Sequence, residues 1–222
     1  MPQAWVWVFN YKQGSGRTDL LFPSVAPYEG NPSGYNSHVI ISDDHGNSWR
    51  IGGVIQPQVN ECQVVELADG LLMINMRNYN RTVSTRAIAI SKDGGDSWSK
   101  VTYDPVLVEP ICQASFLRYT ITPEGDRNRL LFSDPACTDK RRDMTVRLSY
   151  DEGRSWPISK VLYAGPSAYC CLAVLPDADI GCLYEAGEKH TYEKIVFARF
   201  SLEWLTEGKD NFVVKKELDK GK

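Results

Sequence analysis

Short apolar segments separated by clusters of turn residues follow one another along nearly the whole chain. Segments of this kind, bounded by Gly, Pro, Asn and Asp, are typical of β-strands. No convincing amphipathic helix interrupts them, although SLEWLTEGKD near the end predicts a single helical turn. The pattern therefore predicts an all-β protein with about fifteen strands. The predicted strands lie at residues 4–9, 18–22, 37–42, 48–54, 62–67, 71–76, 86–91, 98–103, 112–118, 129–133, 143–149, 156–162, 169–174, 179–185 and 193–199.

The segment NECQVVELADGLLMINMR, residues 60–77, predicts a β-hairpin. Its centre, Ala68-Asp69-Gly70, suits a three-residue loop in which the glycine adopts the left-handed conformation of a bulge. In that register paired positions sum to 138, and Glu61 faces Arg77 at the open end with Cβ atoms roughly 5 Å apart. A two-residue Asp-Gly turn would shift the register by one and place the two side chains on opposite faces. Taken alone, the pair is most simply a cross-strand salt bridge.

A turn pattern, Ser-x-Asp-x-Gly-x-x-Trp, occurs three times, and each copy follows a short apolar strand. In such a pattern the Asp and Ser side chains bind nearby backbone N–H groups, Gly supplies a positive φ, and Trp packs beside the hairpin. The copies begin 49 and 58 residues apart, a period in the range of a propeller blade. We expect them to be devices of the fold rather than sites of chemistry. They are Ser42, Asp44, Gly46 and Trp49; Ser91, Asp93, Gly95 and Trp98; and Ser149, Asp151, Gly153 and Trp156.

Length and composition fit one large all-β domain. The chain has 222 residues, of which 42% are hydrophobic and 11% aromatic, and this composition excludes intrinsic disorder. A formal net charge of −3 argues against a nucleic-acid surface, which needs a basic face. An anionic substrate would gain nothing from this charge, so local cations would have to hold it. One cationic run, Lys140-Arg141-Arg142-Asp143, is expected to form a solvated loop, although such a loop could border a pocket.

The sequence gives no sign of a membrane span, a secretory signal, a metal site or a disulfide framework. No window approaches the roughly 18 apolar residues of a spanning helix. The start, MPQAWVWVFNYKQGSG, lacks the cationic region and apolar core of a signal peptide, and the compartment stays undetermined. Six dispersed cysteines form no CxxC pair, and only three histidines are present. We therefore expect no metal and no cofactor.

The three repeats match the Asp box of sialidases, and the chain resembles the exo-α-sialidase (neuraminidase) family over nearly its whole length. The resemblance implies a sialidase-type β-propeller. At four strands per blade, the predicted strands give a little under four blades, whereas similar sialidases have six. We therefore expect residues 1–222 to form a single all-β propeller domain that is incomplete, with about four of six four-stranded blades, and truncated at its N-terminus.

Five residues fall in the order in which the family carries its site. Glu61 opens a strand and Arg77 ends the following one, as in similar enzymes. Arg147 lies on the strand before the third Asp box, and Tyr169 in GPSAYCCLAVL matches the family's nucleophile. Glu185 in GCLYEAGE is similar to the carboxylate that braces an arginine of the site.

The chemistry of the implied roles is consistent. The substrate, sialic acid, carries a carboxylate on its anomeric carbon, and planar guanidinium groups such as Arg77 and Arg147 bind carboxylates in a bidentate fashion. A tyrosine nucleophile avoids the repulsion that an attacking carboxylate would meet at that carbon. Because a phenol with a pKa of about 10 is a poor nucleophile at neutral pH, Tyr169 needs an adjacent base, and Glu61 would supply it.

The resemblance implies a glycoside hydrolase that removes terminal α-linked sialic acid from sialylated glycans by a retaining mechanism, with no nucleic-acid partner. The sequence lacks an Arg-Ile-Pro motif for a first arginine and offers no clear Asp acid/base, a role that we do not assign to Asp19. We therefore expect this chain alone to be inactive or nearly so. An incomplete propeller also leaves open sheet edges, through which copies could associate.

Two other interpretations stay open. Asp boxes also occur in propellers that hydrolyse nothing, so the main alternative is a non-catalytic module that binds sialoglycans or acts as a scaffold. The other alternative is a glycosidase that acts on a different sugar. Neither linkage preference nor the choice between hydrolysis and trans-glycosylation can be deduced from the sequence.

Overall fold

The computed structural model describes residues 20–28, 31–122 and 126–212. Within these ranges the chain forms thirteen β-strands and one short helix, and no helix there is long and apolar enough to cross a membrane. The elements are β1 (Leu20–Tyr28), β2 (Asn31–Ser42), β3 (Arg50–Ile55), β4 (Val59–Glu66), β5 (Leu72–Asn78), β6 (Thr85–Ser91), β7 (Thr102–Val108), β8 (Ser115–Thr120), β9 (Arg129–Pro135), β10 (Arg142–Ser149), β11 (Ile158–Val174), β12 (Ile180–Ala186), β13 (Lys194–Phe200) and α1 (Leu202–Thr206).

The strands form three antiparallel sheets in chain order. The first contains β1–β3 and the second β4–β7, while the third runs in order from β8 to β13. This six-stranded sheet consists of two units that share β11, because the first half of the 17-residue strand pairs with β10 and the second half pairs with β12. The chain therefore folds as four consecutive blades, and the expected all-β propeller architecture with about four blades is confirmed.

Apolar packing between neighbouring blades holds the sheets in this order. Side chains alternate along each strand, so an inner strand can bury residues on both of its faces. In β4, Val64 belongs to the cluster shared with the first blade, and Val65 belongs to the cluster shared with the third. A further cluster joins Val146 of β10 to Leu172 of β11 and Ile180 of β12. Each such side chain contributes roughly 1.5–3 kcal/mol when it is fully buried.

The β4–β5 hairpin has the predicted loop and register. Paired positions sum to 138, as in Val64↔Ile74, and the three-residue loop 68–70 places Gly70 at a φ of +80°. The Gly70 N–H donates to the carbonyl of Leu67 at 2.9 Å. Near Glu61 the ladder is interrupted by a register shift, which the sequence pattern did not indicate.

The three Asp boxes close the turns that follow β2, β6 and β10. In each box the Ser hydroxyl donates to the Asp carboxylate, at 2.9, 2.8 and 2.9 Å in chain order. The same hydroxyl accepts the Gly N–H at 2.8, 2.8 and 2.9 Å. The Gly residues have positive φ angles of 86°, 99° and 79°. The predicted turn chemistry is therefore confirmed in all three copies.

Several predicted strand boundaries are wrong. The segments 156–162 and 169–174 are parts of one strand, β11, because the backbone stays extended through the Gly-Pro-Ser stretch between them. The strand predicted at 98–103 begins at Thr102, since Trp98 still belongs to the second Asp box. The single helical turn predicted near the end is confirmed as α1, which Ser201 caps. The predicted strand 4–9 and Asp19 lie outside the described residues.

Candidate active site

Three of the five candidate residues meet in one hydrogen-bonded cluster. The Tyr169 hydroxyl donates to Glu61 Oε1 at 2.5 Å. Arg77 Nη1 donates to Glu61 Oε2 at 2.7 Å and to the Tyr169 oxygen at 3.2 Å. Tyr169 comes from β11, and the other two side chains come from the β4–β5 hairpin. The hairpin pair is thus a salt bridge that also contacts a phenol 108 residues further along the chain.

The electrostatics of the cluster keep its phenol protonated at neutral pH. Burial, the hydrogen bond to Glu61 and the negative charge of Glu61 all raise the pKa of Tyr169, while the positive charge of Arg77 opposes them. Burial opposes the charged form of Arg77, but its hydrogen bond and ion pair with Glu61 outweigh this effect and raise the pKa. A neutral phenol with its proton directed at a carboxylate is the arrangement that general-base activation requires.

Glu185 contacts the backbone of Tyr169. Its Oε2 accepts the Tyr169 N–H at 3.0 Å. The ladder between β11 and β12 shifts register between Ser167 and Cys170, so Glu185 lies opposite the bulge that contains Tyr169. The contact that the structure gives to this carboxylate is therefore the Tyr169 backbone, whereas the resemblance implied an arginine.

Arg147 pairs with a residue outside this cluster. Its guanidinium Nη1 donates to Asp134 Oδ1 at 3.1 Å, and the two side chains are only 8% and 1% exposed. Burial raises the pKa of Asp134 to about 7, while the charges of Arg147 and Arg86 oppose that shift. Arg147 is therefore the partner of a buried carboxyl group, and none of the hydrogen bonds or ion pairs described for it involves Tyr169.

Arg141 lies beside Tyr169 instead. Its Cζ is 5.7 Å from the centroid of the Tyr169 ring. Nη2 donates to the Ile111 carbonyl at 3.1 Å, and Nη1 donates to the Tyr192 hydroxyl at 2.5 Å. The expectation of a solvated loop at 140–143 is wrong for this half-buried residue. The only indication of this position in the sequence was that a cationic loop could border a pocket.

The two guanidinium groups near Tyr169 both lie against aromatic rings. Arg77 Cζ is 4.9 Å from the centroid of the Tyr79 ring, which stacks with Tyr35 at 6.1 Å. Contacts of this kind stabilise a cation without consuming its N–H donors. Arg77 Nε is buried and has no hydrogen-bond partner among the described residues. The two guanidinium groups therefore place positive charge beside the phenol, where an anionic group could bind.

Consecutive blades together with a partly buried tyrosine–glutamate pair beside two arginines are typical of a sialidase-type Asp-box propeller domain. A family model described as a BNR repeat-like domain matches residues 13–184. The chain belongs to this family, and its relatives by sequence and by structure are sialidases.

Two curated relatives illustrate the sequence similarity. The sialidase of Micromonospora viridifaciens is 40% identical over 169 residues, which cover 75% of this chain and 25% of that protein. Sialidase-3 of Mus musculus is 32% identical over 213 residues, which cover 75% of this chain and 49% of that protein. The chain thus spans only part of the length of the curated relatives that it matches.

Solved structures show the same fold. The Hadza microbial sialidase Hz136 superposes with a TM-score of 0.73 at 33% identity, over 85% of this chain and 36% of that one. The leech intramolecular trans-sialidase superposes with a TM-score of 0.75 at 23% identity, over 90% of this chain and 32% of that one. Because the identity to the leech enzyme is only 23%, this similarity shows a shared fold and nothing more.

Proposed function

We propose that the site is that of a retaining exo-α-sialidase, which removes terminal α-linked sialic acid from glycans. The hydrogen bond of 2.5 Å from the Tyr169 hydroxyl to Glu61 carries this proposal. Glu61 accepts the phenol proton while the Tyr169 oxygen bonds to the anomeric carbon and the glycan leaves with a proton from a separate acid. A water oxygen then bonds to the anomeric carbon as the bond to Tyr169 breaks. Water gives its proton to the group that protonated the glycan, and Glu61 returns its proton to the Tyr169 oxygen, so the two inversions restore the original configuration.

In this proposal Arg77 and Arg141 bind the substrate carboxylate. Both guanidinium groups lie beside the phenol, and their positive charges support an anionic ligand there. Arg147 was expected in this role, but its ion pair with the buried Asp134 makes it a poor candidate. Glu185 holds the backbone of the nucleophile by accepting the hydrogen bond from its N–H.

We also propose that turnover by this chain alone is weak. The family resemblance requires a third arginine and an acid that protonates the leaving oxygen, and the contacts described for the phenol involve Glu61, Arg77 and Arg141. Loss of one such group typically costs orders of magnitude in rate. Rapid release of sialic acid from a fluorogenic sialoside by the purified chain would contradict this part of the proposal.

The nucleophile can be tested without full turnover. A fluorinated sialosyl fluoride should form a covalent adduct, and peptide mapping by mass spectrometry should place the adduct on Tyr169. Tyr169→Phe should abolish the adduct and lower any measurable turnover by about a thousandfold or more. The matched control is Tyr163→Phe, since Tyr163 lies on the same strand and its hydroxyl donates to the Gly187 carbonyl.

The outcomes separate the candidate functions. An adduct on another residue would mean that the nucleophile is misassigned. Reversible binding of sialic acid with no adduct would favour the non-catalytic sialoglycan-binding alternative. Labelling by a fluorinated donor of a different sugar, with none by the sialosyl reagent, would favour the other glycosidase class.

We further propose that copies of the chain associate through an apolar sheet face. Leu183, Ile195 and Phe197 lie on one face of the β12–β13 pair and are 46%, 72% and 57% exposed. Leu183 pairs directly with Phe197, so the three side chains form one continuous patch. A second copy could cover this patch.

A further inference from the structure

The second half of β11, which carries Tyr169, has a strand neighbour on one edge. That neighbour is β12, which pairs with it from Ser167 to Val174. On the opposite edge, side chains from the segment before and within β8 complete the backbone hydrogen bonds. Gln113 bonds to the backbone of Cys170, and the Ser115 hydroxyl accepts the Leu172 N–H at 3.0 Å.

The Gln113 amide satisfies both backbone groups of one residue. Its Nε2 donates to the Cys170 carbonyl at 2.9 Å, and its Oε1 accepts the Cys170 N–H at 2.9 Å. The remaining N–H of the amide donates to the Ala114 carbonyl at 2.9 Å. Gln113 is 3% exposed, so water does not compete for these groups. The side chain thus replaces one rung of a β-ladder.

This rung lies next to the phenol of the cluster. Cys170 follows Tyr169 directly, and the Cys170 N–H belongs to the peptide group that joins the two residues. On the other edge, Glu185 holds the Tyr169 N–H at 3.0 Å. The bulge is therefore held on both edges by side chains, and these contacts fix the backbone from which the phenol projects. A bulge commonly directs a side chain into a site in this way.

The segment that ends at Gln113 also contacts Arg141 and the residue that follows Arg77. Glu109 Oε1 accepts the N–H of Asn78, the residue after Arg77, at 2.6 Å. The Ile111 carbonyl accepts Arg141 Nη2 at 3.1 Å. Residues 109–113 therefore form a common support for the β4–β5 hairpin, for Arg141 and for the strand of the nucleophile.

We infer that Gln113 is a positioning residue for Tyr169, which sets the distance between its hydroxyl and Glu61 through the Cys170 backbone. The catalytic side of this inference rests on the proposed function, whereas the geometric side does not. A displacement of the phenol by about 1 Å would weaken its bond to Glu61, and misplacements of that size can lower a rate about a hundredfold.

The test compares two variants on the same edge of β11. Gln113→Leu keeps the volume and removes both bonds to Cys170. The matched control is Ser115→Ala, which removes the bond to Leu172, a core residue two positions further from the phenol. Should Gln113→Leu fail to fold by circular dichroism, Gln113→Met, which is unbranched like glutamine, also removes both bonds to Cys170 without adding a charge, and it carries the same expectation.

The first readout is the ionisation of Tyr169, followed by NMR with ring-labelled tyrosine and assigned with Tyr169→Phe. Wild-type Tyr169 should titrate well above its ordinary pKa, because burial and Glu61 raise it. Gln113→Leu should lower this pKa by about one unit or more, since the contact with Glu61 loosens. Ser115→Ala should leave it unchanged. An unchanged Tyr169 titration in a folded Gln113 variant would overturn the inference.

The second readout is the rate of covalent labelling by the sialosyl reagent. Gln113→Leu should slow labelling about tenfold or more at saturating reagent, with the half-saturating concentration changed less than about twofold, whereas Ser115→Ala should alter neither. If the wild-type chain is not labelled but its Tyr169 titration responds to Gln113→Leu, the proposed function fails and the geometric inference stands. If both variants are labelled at the normal rate, the claim that Gln113 affects catalysis fails, and the claim that it positions Tyr169 stands.

Discussion

Arg141 and Arg147 differ in environment although they lie six positions apart in the sequence. Arg147 extends into the interior and pairs with Asp134, a carboxyl group that is nearly inaccessible to solvent. Arg141 lies over the Tyr169 ring and is tied to Tyr192 and the Ile111 carbonyl. We therefore propose substrate binding for Arg141 and stabilisation of the fold for Arg147.

Replacing each arginine by methionine should separate these roles. Arg141→Met should weaken binding of free sialic acid about tenfold or more with little loss of stability, because a charged hydrogen bond to a carboxylate is worth roughly 1.5–3 kcal/mol. Arg147→Met should lower the free energy of unfolding by about 3 kcal/mol, because it leaves Asp134 buried without its partner. Ligand titration by NMR and urea denaturation provide the measurements; the reverse pattern would restore Arg147 to the site.

Asp134 should also make stability depend on pH. Burial raises its pKa to about 7 in the folded state, so the folded protein binds this proton more tightly than the unfolded chain does. The resulting stabilisation is present at low pH and is lost as the pH rises through about 7. Between pH 5 and pH 7.5 we expect the free energy of unfolding to fall by about 1–3 kcal/mol on this account.

The check is Asp134→Asn, compared with wild type by urea denaturation at several pH values. The variant should be less stable overall because Arg147 loses its counter-ion, but its stability should vary less across this pH range. Parallel curves for the two proteins would show that Asp134 does not titrate there.

The residues of the site were predictable from the sequence to the extent that local pattern encodes them. Glu61 and Arg77 share one hairpin, and Tyr169 lies on a strand in the order that the family resemblance implies. Arg141 and Gln113 escaped prediction, because each acquires its role through contacts between distant segments. A cationic loop and a glutamine in an apolar segment carry no local mark of a tyrosine that lies 28 or 56 positions away.

At the scale of elements, the Asp boxes should stabilise the fold without acting on the site. Asp151 accepts hydrogen bonds from the Ser149 hydroxyl at 2.9 Å, from the Ser155 N–H at 2.8 Å and from the Ser155 hydroxyl at 2.6 Å. Trp156 of the same box donates to Asp104 Oδ2 at 2.9 Å and so ties the turn to β7. The box thus fastens one blade to the next.

Asp151→Ala should therefore lower the free energy of unfolding by about 1–3 kcal/mol, since three acceptor contacts are lost. The Tyr169 titration should stay the same. The matched control is Asp69→Ala in the hairpin loop, where the side chain accepts one exposed bond from the Leu71 N–H at 3.1 Å. Thermal and urea unfolding give the comparison, and an equal effect of the two substitutions would contradict a special role of the box.

Elements with strong turn chemistry were predictable, and those without it were not. The hairpin loop and the three boxes carry Gly at positive φ and side chains that bind the backbone, so their sequences specify their geometry. The continuity of β11 was not predictable, since a Gly-Pro pair normally marks a turn. Here Gly165 and Pro166 lie where the strand exchanges its partner β10 for β12.

At the scale of the whole molecule, the association that we propose depends on the exposed face of the last blade. Replacing both Ile195 and Phe197 by threonine keeps β-propensity and removes most of the apolar surface of the patch. We expect the association constant to fall about tenfold or more, because each buried side chain contributes on the order of 1 kcal/mol or more. Analytical ultracentrifugation over a range of concentrations measures this, and a monomer at every concentration would refute the association.

The control is Val161→Thr, which alters a 50% exposed apolar residue in the first half of β11, away from the β12–β13 pair. It should leave the association constant unchanged.

The presence of successive blades was predictable from the spacing of the boxes, because each copy marks one blade. The exposed face was not, since alternation along β13 looks the same whether or not a neighbour covers it.

The shared strand β11 makes the last two blades a single cooperative unit. Each of them includes part of this one strand, so neither can open at that strand without disturbing the other. Amide protons of β9, β10, β12 and β13 should consequently exchange with solvent in the same opening event. Tyr169 lies three residues after Pro166, where β11 changes its partner from β10 to β12. A fluctuation that begins in one of these two blades must pass through this point to reach the other.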